Sequence, residues 1–348
     1  MSYTNGLDNP ELYFQTKLYA GNGSSQSITF DGSENMQPDW VWIKSRTDTR
    51  KHNLYDVVRG TNKRLVSNAT SAEDEPDNNA GVNSFNSDGF TVGSETDVNG
   101  SSRNFASWNW KAGGTASSNT SGSITSSVSA NQDAGFSIVS YTGTGSNATV
   151  GHGLGAEAKC IIVKDRDNTR DWGFYHVSLG NGHYMNLNAA GGSSATSTHW
   201  NNTTPTSSVF SIGTSNQVNV SSTDFIAYCF ADVKGYSKFG SYTGNGNADG
   251  TFVYTGFKPA FVMIKVTSTT SNWGMFDNKR LGFNPKNEFV RANETIAESS
   301  DYDGIDFLSN GFKLKTTSTL VNAAQSYIYM AFASNPFVSS TGVPATAR

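Results

Sequence analysis

One strand-like segment occurs three times in this chain, and that repetition limits the folds open to it more than any other feature. The copies read Pro38-Asp39-Trp40-Val41-Trp42-Ile43-Lys44, Ala158-Lys159-Cys160-Ile161-Ile162-Val163-Lys164 and Pro259-Ala260-Phe261-Val262-Met263-Ile264-Lys265. About 20 residues before each lysine a turn recurs: Tyr19-Ala20-Gly21-Asn22-Gly23, Tyr141-Thr142-Gly143-Thr144-Gly145 and Tyr242-Thr243-Gly244-Asn245-Gly246. A second strand opens at Phe90, Phe210 or Phe312, which lie 46, 46 and 47 residues after the respective lysines. A third ends at Trp110, Phe230 or Phe332, each 20 residues further on. Four landmarks held in register three times predict one module in triplicate. Each copy, near 90 to 95 residues, is large enough for a core of its own.

Composition sets the class of that module. Gly and Asn occur 35 times each and Ser 46 times among 348 residues, and charged residues reach only 16%. Turn formers in that abundance exclude a coiled coil or a large helical domain, while 36% apolar and 12% aromatic content exclude wholesale disorder. In Trp40-Val41-Trp42-Ile43-Lys44 both faces are apolar, which suits a central strand covered on each side. Phe105-Ala106-Ser107-Trp108-Asn109-Trp110 puts Trp108 and Trp110 on one face, with Ser107 and Asn109 on the other. Asp88-Gly89 and Asn310-Gly311 are type I′ hairpin signals. Asn9-Pro10-Glu11 reads as a capped first helical turn, and residues 285–300 have room for another helix.

The predicted fold is all-β: three tandem, divergent repeats of a β-sandwich module of the jelly-roll or lectin-like kind. Its parts are an N-terminal arm with a short helix (1–17), β-modules at 18–114, 136–236 and 237–337, a linker at 115–135 and a C-terminal tail at 338–348. Residues 111–135 hold 14 Gly, Ser or Thr in 25, the composition of a flexible spacer. The tail is expected to be extended.

In the first copy, Tyr13-Phe14-Gln15-Thr16, Gly21-Asn22-Gly23-Ser24, Pro38-Asp39-Trp40-Val41-Trp42-Ile43-Lys44-Ser45-Arg46, Arg59-Gly60, Asp88-Gly89-Phe90-Thr91-Val92-Gly93 and Trp108-Asn109-Trp110-Lys111-Ala112-Gly113-Gly114 follow one another in order. Over residues 8–114 the series resembles a module of tailed-phage virion proteins, especially marine and cyanobacterial ones, of the tail-fibre or host-recognition kind. The second and third copies lack the Trp-x-Trp-Lys ending and are assigned through the internal repeat. The resemblance implies a virion-surface protein with no catalytic residues: a tail-fibre or appendage adhesin that binds host surface glycans, with other virion proteins as partners. The alternative is a protein that decorates the capsid or assembles the tail without touching a receptor. Fibres of this kind are commonly homotrimers, yet three modules in one chain could supply a pseudo-threefold arrangement alone.

Other features narrow the classes. No run of eighteen apolar residues exists, so no membrane-spanning helix is expected. The opening Met1-Ser2-Tyr3-Thr4-Asn5-Gly6 lacks the regions of a secretory signal, and two cysteines make no disulfide framework. The expected history is folding in a reducing cytoplasm and release by lysis. A net charge of −4 weighs against nucleic acid. G-x-S-x-G, H-E-x-x-H and P-loop motifs are absent, and neither enzymatic activity nor a cofactor is expected.

Candidate ligand contacts fall into two groups. Residues 44–64 hold Lys44, Arg46, Arg50, Lys51, Arg59, Lys63 and Arg64 against Asp48 and Asp56, a surplus suited to gripping an acidic polysaccharide. Arg46, Arg50, Lys51 and Arg59 are the candidates there. The competing readings are a solvated face, or pairing with the acidic run Glu73-Asp74-Glu75-Pro76-Asp77. Because a pyranose stacks its apolar face on indole rings, Trp40, Trp172, Trp200 and Trp273 are candidates for sugar binding. Trp172 and Trp273 fall eight residues after Lys164 and Lys265, where the first copy has His52, a repetition also expected of core packing.

His152, His176, His183, His199 and both cysteines lie in the second copy without paired zinc spacing, so no metal is expected there. Cys160 and Cys229 are expected to be neighbouring, buried thiols. Asp301, Asp303 and Asp306 alternate around Gly304 as in a calcium loop, but the closing glutamate is missing and a polar turn is the competing reading.

Overall fold

The computed structural model describes residues 7–281, 283–300 and 304–346, and it is nearly all β. The first part of the chain forms β1 (Phe14–Ala20), β2 (Gln26–Thr29), β3 (Trp40–Ser45), β4 (His52–Asp56), β5 (Gly60–Val66), β6 (Val82–Asn86), β7 (Gly89–Val92) and β8 (Asn104–Trp110). The second forms β9 (Ser117–Asn119), β10 (Ser126–Asn131), β11 (Phe136–Thr142), β12 (Ala148–Gly151), β13 (Cys160–Asp165), β14 (Gly173–His176), β15 (His183–Asn186), β16 (Ser194–Ala195), β17 (Val209–Ile212) and β18 (Asp224–Phe230). The third forms β19 (Ser237–Thr243), β20 (Phe252–Tyr254), β21 (Phe257–Val266), β22 (Gly274–Asp277), β23 (Val290–Arg291), β24 (Ile305–Leu308), β25 (Gly311–Leu314) and β26 (Ser326–Pro336).

Three large antiparallel sheets result. They run β1-β8-β3-β4-β5, then β16-β15-β14-β13-β18-β11-β10-β9, then β19-β26-β21-β22-β23. In each, the last long strand of its part sits between the first long strand and the apolar one: β8, β18 and β26 each pair on both sides. Smaller sheets, β2-β7-β6, β12-β17 and β20-β25-β24, cover one face of each large sheet.

The period of two along β3, β13 and β21 sends alternate side chains into different cores. Val41 and Ile43 pack with Phe90, Val92 and Phe105 under the small sheet of the first part. Ile161 and Val163 do the same with Phe210 and Ile212 in the second, as do Val262 and Ile264 with Phe312 and Leu314 in the third. The other faces of the three large sheets meet in one shared core. Trp40, Trp42, Trp108 and Trp110 from the first sheet join Phe136, Ile162, Tyr228 and Phe230 from the second and Phe261, Met263, Met330 and Phe332 from the third. The Trp40 ring lies 4.3 Å from that of Tyr228, and Phe14 lies 5.4 Å from Phe332, so all three sheets touch through aromatic rings.

The repeated lysines close each apolar strand on the shared-core side and are buried. Lys44, Lys164 and Lys265 turn their ammonium groups to carbonyls of the following loop, at Asp48 (3.3 Å), Asn168 (3.3 Å) and Ser271 (2.8 Å). Burial draws their pKa down to about 8, about 8 and about 7.

Several expectations need correction. The supposed spacer at 115–135 is not free: β9 and β10 extend the second sheet, and Ile124 and Val128 enter its core. Apolar anchors, strand pairing and side-chain bonds such as Ser126 Oγ to Gly151 O (2.9 Å) hold this Ser-rich segment, and composition registers none of these. Asp88-Gly89 and Asn310-Gly311 do mark hairpins, but the loops are Ser87-Asp88 and Ser309-Asn310, and none of these four has positive φ. The glycines serve close approach instead. A side-chain carbon on Gly89 would lie 2.0 Å from the Ile28 carbonyl oxygen, and one on Gly311 would lie 2.1 Å from that of Val253. Asn9 caps a 3-10 turn at Pro10–Leu12 as expected. Among the described residues of 285–300 there is no helix but the short strand β23. The tail folds back, with Val338 bridging Pro344 and the Ser340 N–H donating to Asp8 (2.7 Å).

Candidate functional site

Several cations of the first part's basic run, together with Trp172 and Trp273, lie where the sheets meet. Arg46 makes a bidentate pair with Glu298 of the third part, Nε at 2.9 Å and Nη2 at 2.7 Å. Arg166 of the second part does the same to Glu73 of the first, both at 3.0 Å. Each of the three seams also carries two backbone bonds at matching places. Glu298 N–H donates to Arg46 O (2.9 Å) and Arg50 N–H to Thr295 O (2.8 Å). Glu73 N–H donates to Arg166 O (2.8 Å) and Arg170 N–H to Thr70 O (2.8 Å). Ser193 N–H donates to Thr267 O (2.8 Å) and Ser271 N–H to Ala190 O (3.0 Å).

Arg59, expected to touch a ligand, has no solvent-exposed side chain. It bonds Asp56 (2.5 Å), Glu73 (3.2 Å) and the carbonyls of Lys63 (2.9 Å) and Leu54 (3.1 Å). Lys63 pairs with Glu75 and Arg64 with Asp74, so the acidic run after residue 72 neutralises the basic one. Arg50 faces Asp97 at 3.5 Å; of the four cations proposed, only Lys51 is fully exposed. Trp172 Nε1 donates to Val66 O of the first part (2.9 Å), and Trp273 Nε1 to Asn186 O of the second (3.2 Å). Trp200 lies in the core of its own part and donates to His183 O (3.0 Å). All three indoles are buried, as is that of Trp40, so none can stack on a sugar. The matching positions of Trp172 and Trp273 reflect packing between the parts.

One position shows how closely these seams are matched. Asp56, His176 and Asp277 sit opposite Trp40, Cys160 and Phe261 in equal register. Asp56 accepts from the Tyr228 hydroxyl of the second part (2.8 Å), and Asp277 from Trp108 Nε1 of the first (3.1 Å). In the third part Met330 stands where Tyr228 and Trp108 stand in theirs, and a thioether cannot donate. The acceptor there is replaced by a donor: His176 Nε2 bonds the Tyr329 carbonyl at 3.1 Å, while its Nδ1 accepts from Ser178 N–H (3.2 Å).

Burial depresses the pKa of His176 to about 4, outweighing the Tyr329 carbonyl, and it lowers His52, His152 and His199 as well. A histidine held neutral in the folded state stabilises it fully above its unfolded pKa of about 6.5. That contribution is lost as pH falls from about 6.5 to about 4, roughly 3 kcal/mol for His176 alone. Urea midpoints at pH 7.5 and pH 4.5 are expected to fall steeply for the wild type and less for His176→Gln. An equal fall in both would contradict the assignment.

Cys160 and Cys229 are free, buried thiols on neighbouring strands, one facing the shared core and the other the core of the second part. Burial pushes both thiols up, so neither is a reactive thiolate. Among the described residues no cluster of His, Cys, Asp or Glu could hold a metal ion. Asp301 and Asp303 lie outside the described residues, and Asp306 faces Lys315 at 4.0 Å.

With those residues consumed, the aromatic rings left to solvent among the described residues are few. On β20, Phe252 and Tyr254 are 45% and 53% exposed while Val253 between them is buried. They lie on the outer face of an edge strand, whose one partner is β25. Beside Tyr254 runs a groove of about 420 Å³ lined by Asp232, Lys234, Ser237, Lys238 and Thr255. Lys238 Nζ stands 5.4 Å from the centre of the Tyr254 ring and donates to the Tyr254 carbonyl (3.0 Å). A larger cleft of about 820 Å³ carries the exposed Phe283, and its lining mixes Lys258, Lys279 and Lys286 with Asp8 and Glu11. Sequence reasoning passed over the β20 face, although a signal was present. The matching strands β2 and β12 carry Ser27 and Thr29, and Thr149 and Gly151, where β20 carries Phe252 and Tyr254.

No curated protein and no solved structure matches this chain. A family model does match, over residues 9–336 and so across all three sheets. The chain belongs to that family, described as a domain of unknown function (DUF7483).

Proposed function

We propose that this chain is a surface protein of a tailed-phage virion, built from three divergent copies of one β-sandwich module, and that it serves as a tail-fibre or appendage adhesin for host surface glycans. The observation that carries the binding role is the exposed Phe252–Tyr254 pair beside a polar groove, since paired rings on a rigid strand give a sugar its apolar platform. The equal strand order of the three large sheets and the matched seam bonds support a common module. One such site binds weakly; many copies on a particle multiply it into firm attachment. Three sheets around one core also supply, from one chain, a threefold-like body that needs no homotrimer.

The alternative role, decorating the capsid or tail, draws on the burial of Trp172, Trp200 and Trp273, which leaves aromatic exposure concentrated in the third part. Immunogold labelling of intact particles separates the two: gold at the distal tail supports the adhesin, gold on the head or collar supports decoration, and no gold removes the virion reading. Soluble wild-type chain is expected to block adsorption of particles to host cells, and Tyr254→Ala to lose at least about tenfold in potency. Equal potency would exclude the β20 face as the receptor contact.

A further inference from the structure

Two lysines, Lys234 and Lys238, line the groove beside the exposed Tyr254 ring. Ser237 spends its hydroxyl on Ala231 O (3.1 Å) and Thr255 on Phe257 O (2.8 Å). Asp232, the one carboxylate of the lining, is exposed and accepts the Phe239 N–H at Oδ1 (2.9 Å), so the lining carries two ammonium groups against one carboxylate. Lys234 has no ion-pair partner among the described residues, and Lys238 is held by a carbonyl, so neither ammonium is neutralised by a carboxylate in contact. The neighbouring cations differ: Lys313 pairs with Asp249 (2.5 Å) and Lys315 with Asp306 (4.0 Å). The groove thus sets an exposed aromatic ring beside two ammonium groups and one carboxylate, a local surplus of positive charge in a chain of net charge −4.

We propose that this groove takes an anionic glycan, one bearing carboxylate or sulfate groups, with a sugar face on Tyr254 and its acid group between Lys234 and Lys238. The proposal rests on the glycan-binding reading and adds the charge of the ligand to it. It moves polyanion recognition from residues 44–64, whose cations are largely spent on seams and internal pairs, to the third part of the chain.

Native affinity electrophoresis of the full chain tests it, with gels containing polygalacturonate or dextran sulfate, each beside its neutral counterpart, methyl-esterified polygalacturonate or dextran. Retardation is expected in the charged gels only, weakening as salt rises. Lys234→Ala/Lys238→Ala is expected to weaken it about tenfold or more, and Tyr254→Ala likewise. These side chains are at the surface, and unchanged far-UV circular dichroism confirms that the variants fold. Equal retardation in charged and neutral gels, lost in Tyr254→Ala, would overturn the anionic assignment and leave the glycan reading. No retardation in any gel, or retardation that all three substitutions leave intact, would overturn both.

Discussion

Trp40→Ala is expected to destabilise the protein by about 3–5 kcal/mol and to weaken the second and third sheets along with its own. Trp40 is fully buried, and its ring lies 4.5 Å from Trp110, 4.3 Å from Tyr228, 5.8 Å from Phe136 and 6.0 Å from Phe230. Three of those four rings belong to the second part of the chain, so the cavity opens at a junction and not inside one module. Rings stacked or tilted against it from two sheets cannot collapse into the space without moving a sheet. Trp40→Phe, which keeps most of the volume, is expected to cost far less. Urea unfolding followed by circular dichroism and by tryptophan fluorescence checks this: both signals should shift together. A loss confined to one signal would mean that the first part unfolds alone.

Asp56→Ala is expected to cost a similar amount, about 3–5 kcal/mol, for an electrostatic reason. It leaves the Arg59 guanidinium buried without its main counter-charge, strips the Tyr228 hydroxyl of its acceptor, and uncaps the Val58 (3.0 Å) and Arg59 (2.9 Å) amides. The chain itself shows that the pair can be dispensed with when both members go. The second part has His176 and Leu179 where the first has Asp56 and Arg59 and the third has Asp277 and Arg280. Asp56→Ala/Arg59→Leu is therefore expected to recover at least half of the loss, a positive coupling measurable in a double-mutant cycle. Additive losses would contradict the account of an orphaned charge.

Sequence patterning reached the strands because burial on both faces leaves a clear signature. Trp40-Val41-Trp42-Ile43 reads as a covered strand, and its two faces enter two cores. The turn at Tyr19, Tyr141 and Tyr242 is equally legible, and each tyrosine hydroxyl donates to the carbonyl of Val98, Val218 or Val321. What pattern cannot show is which neighbour covers a face. Trp172 and Trp273 suit a sugar platform as well as a seam, and only the placement of β5 and β15 against them decides. Arg46 and Arg59 find their carboxylates at Glu298 and at Asp56 and Glu73, and sequence distance hides the first of these. Phe252 and Tyr254 escaped notice for the opposite reason: a three-residue edge strand carries too little alternation to stand out, and only comparison with β2 and β12 singles it out.

Everything ascribed to the surface depends on the three sheets sharing one core, because that core and its seams withdraw Arg46, Arg59, Trp172 and Trp273 from solvent. Differential scanning calorimetry of the full chain at pH 7.5 tests this most directly. Sheets joined by a common aromatic core and six seam backbone bonds should melt in one transition, with calorimetric and van't Hoff enthalpies equal. Two or three resolved transitions, or a calorimetric enthalpy several times the van't Hoff value, would mean independent modules on a string and would contradict the account.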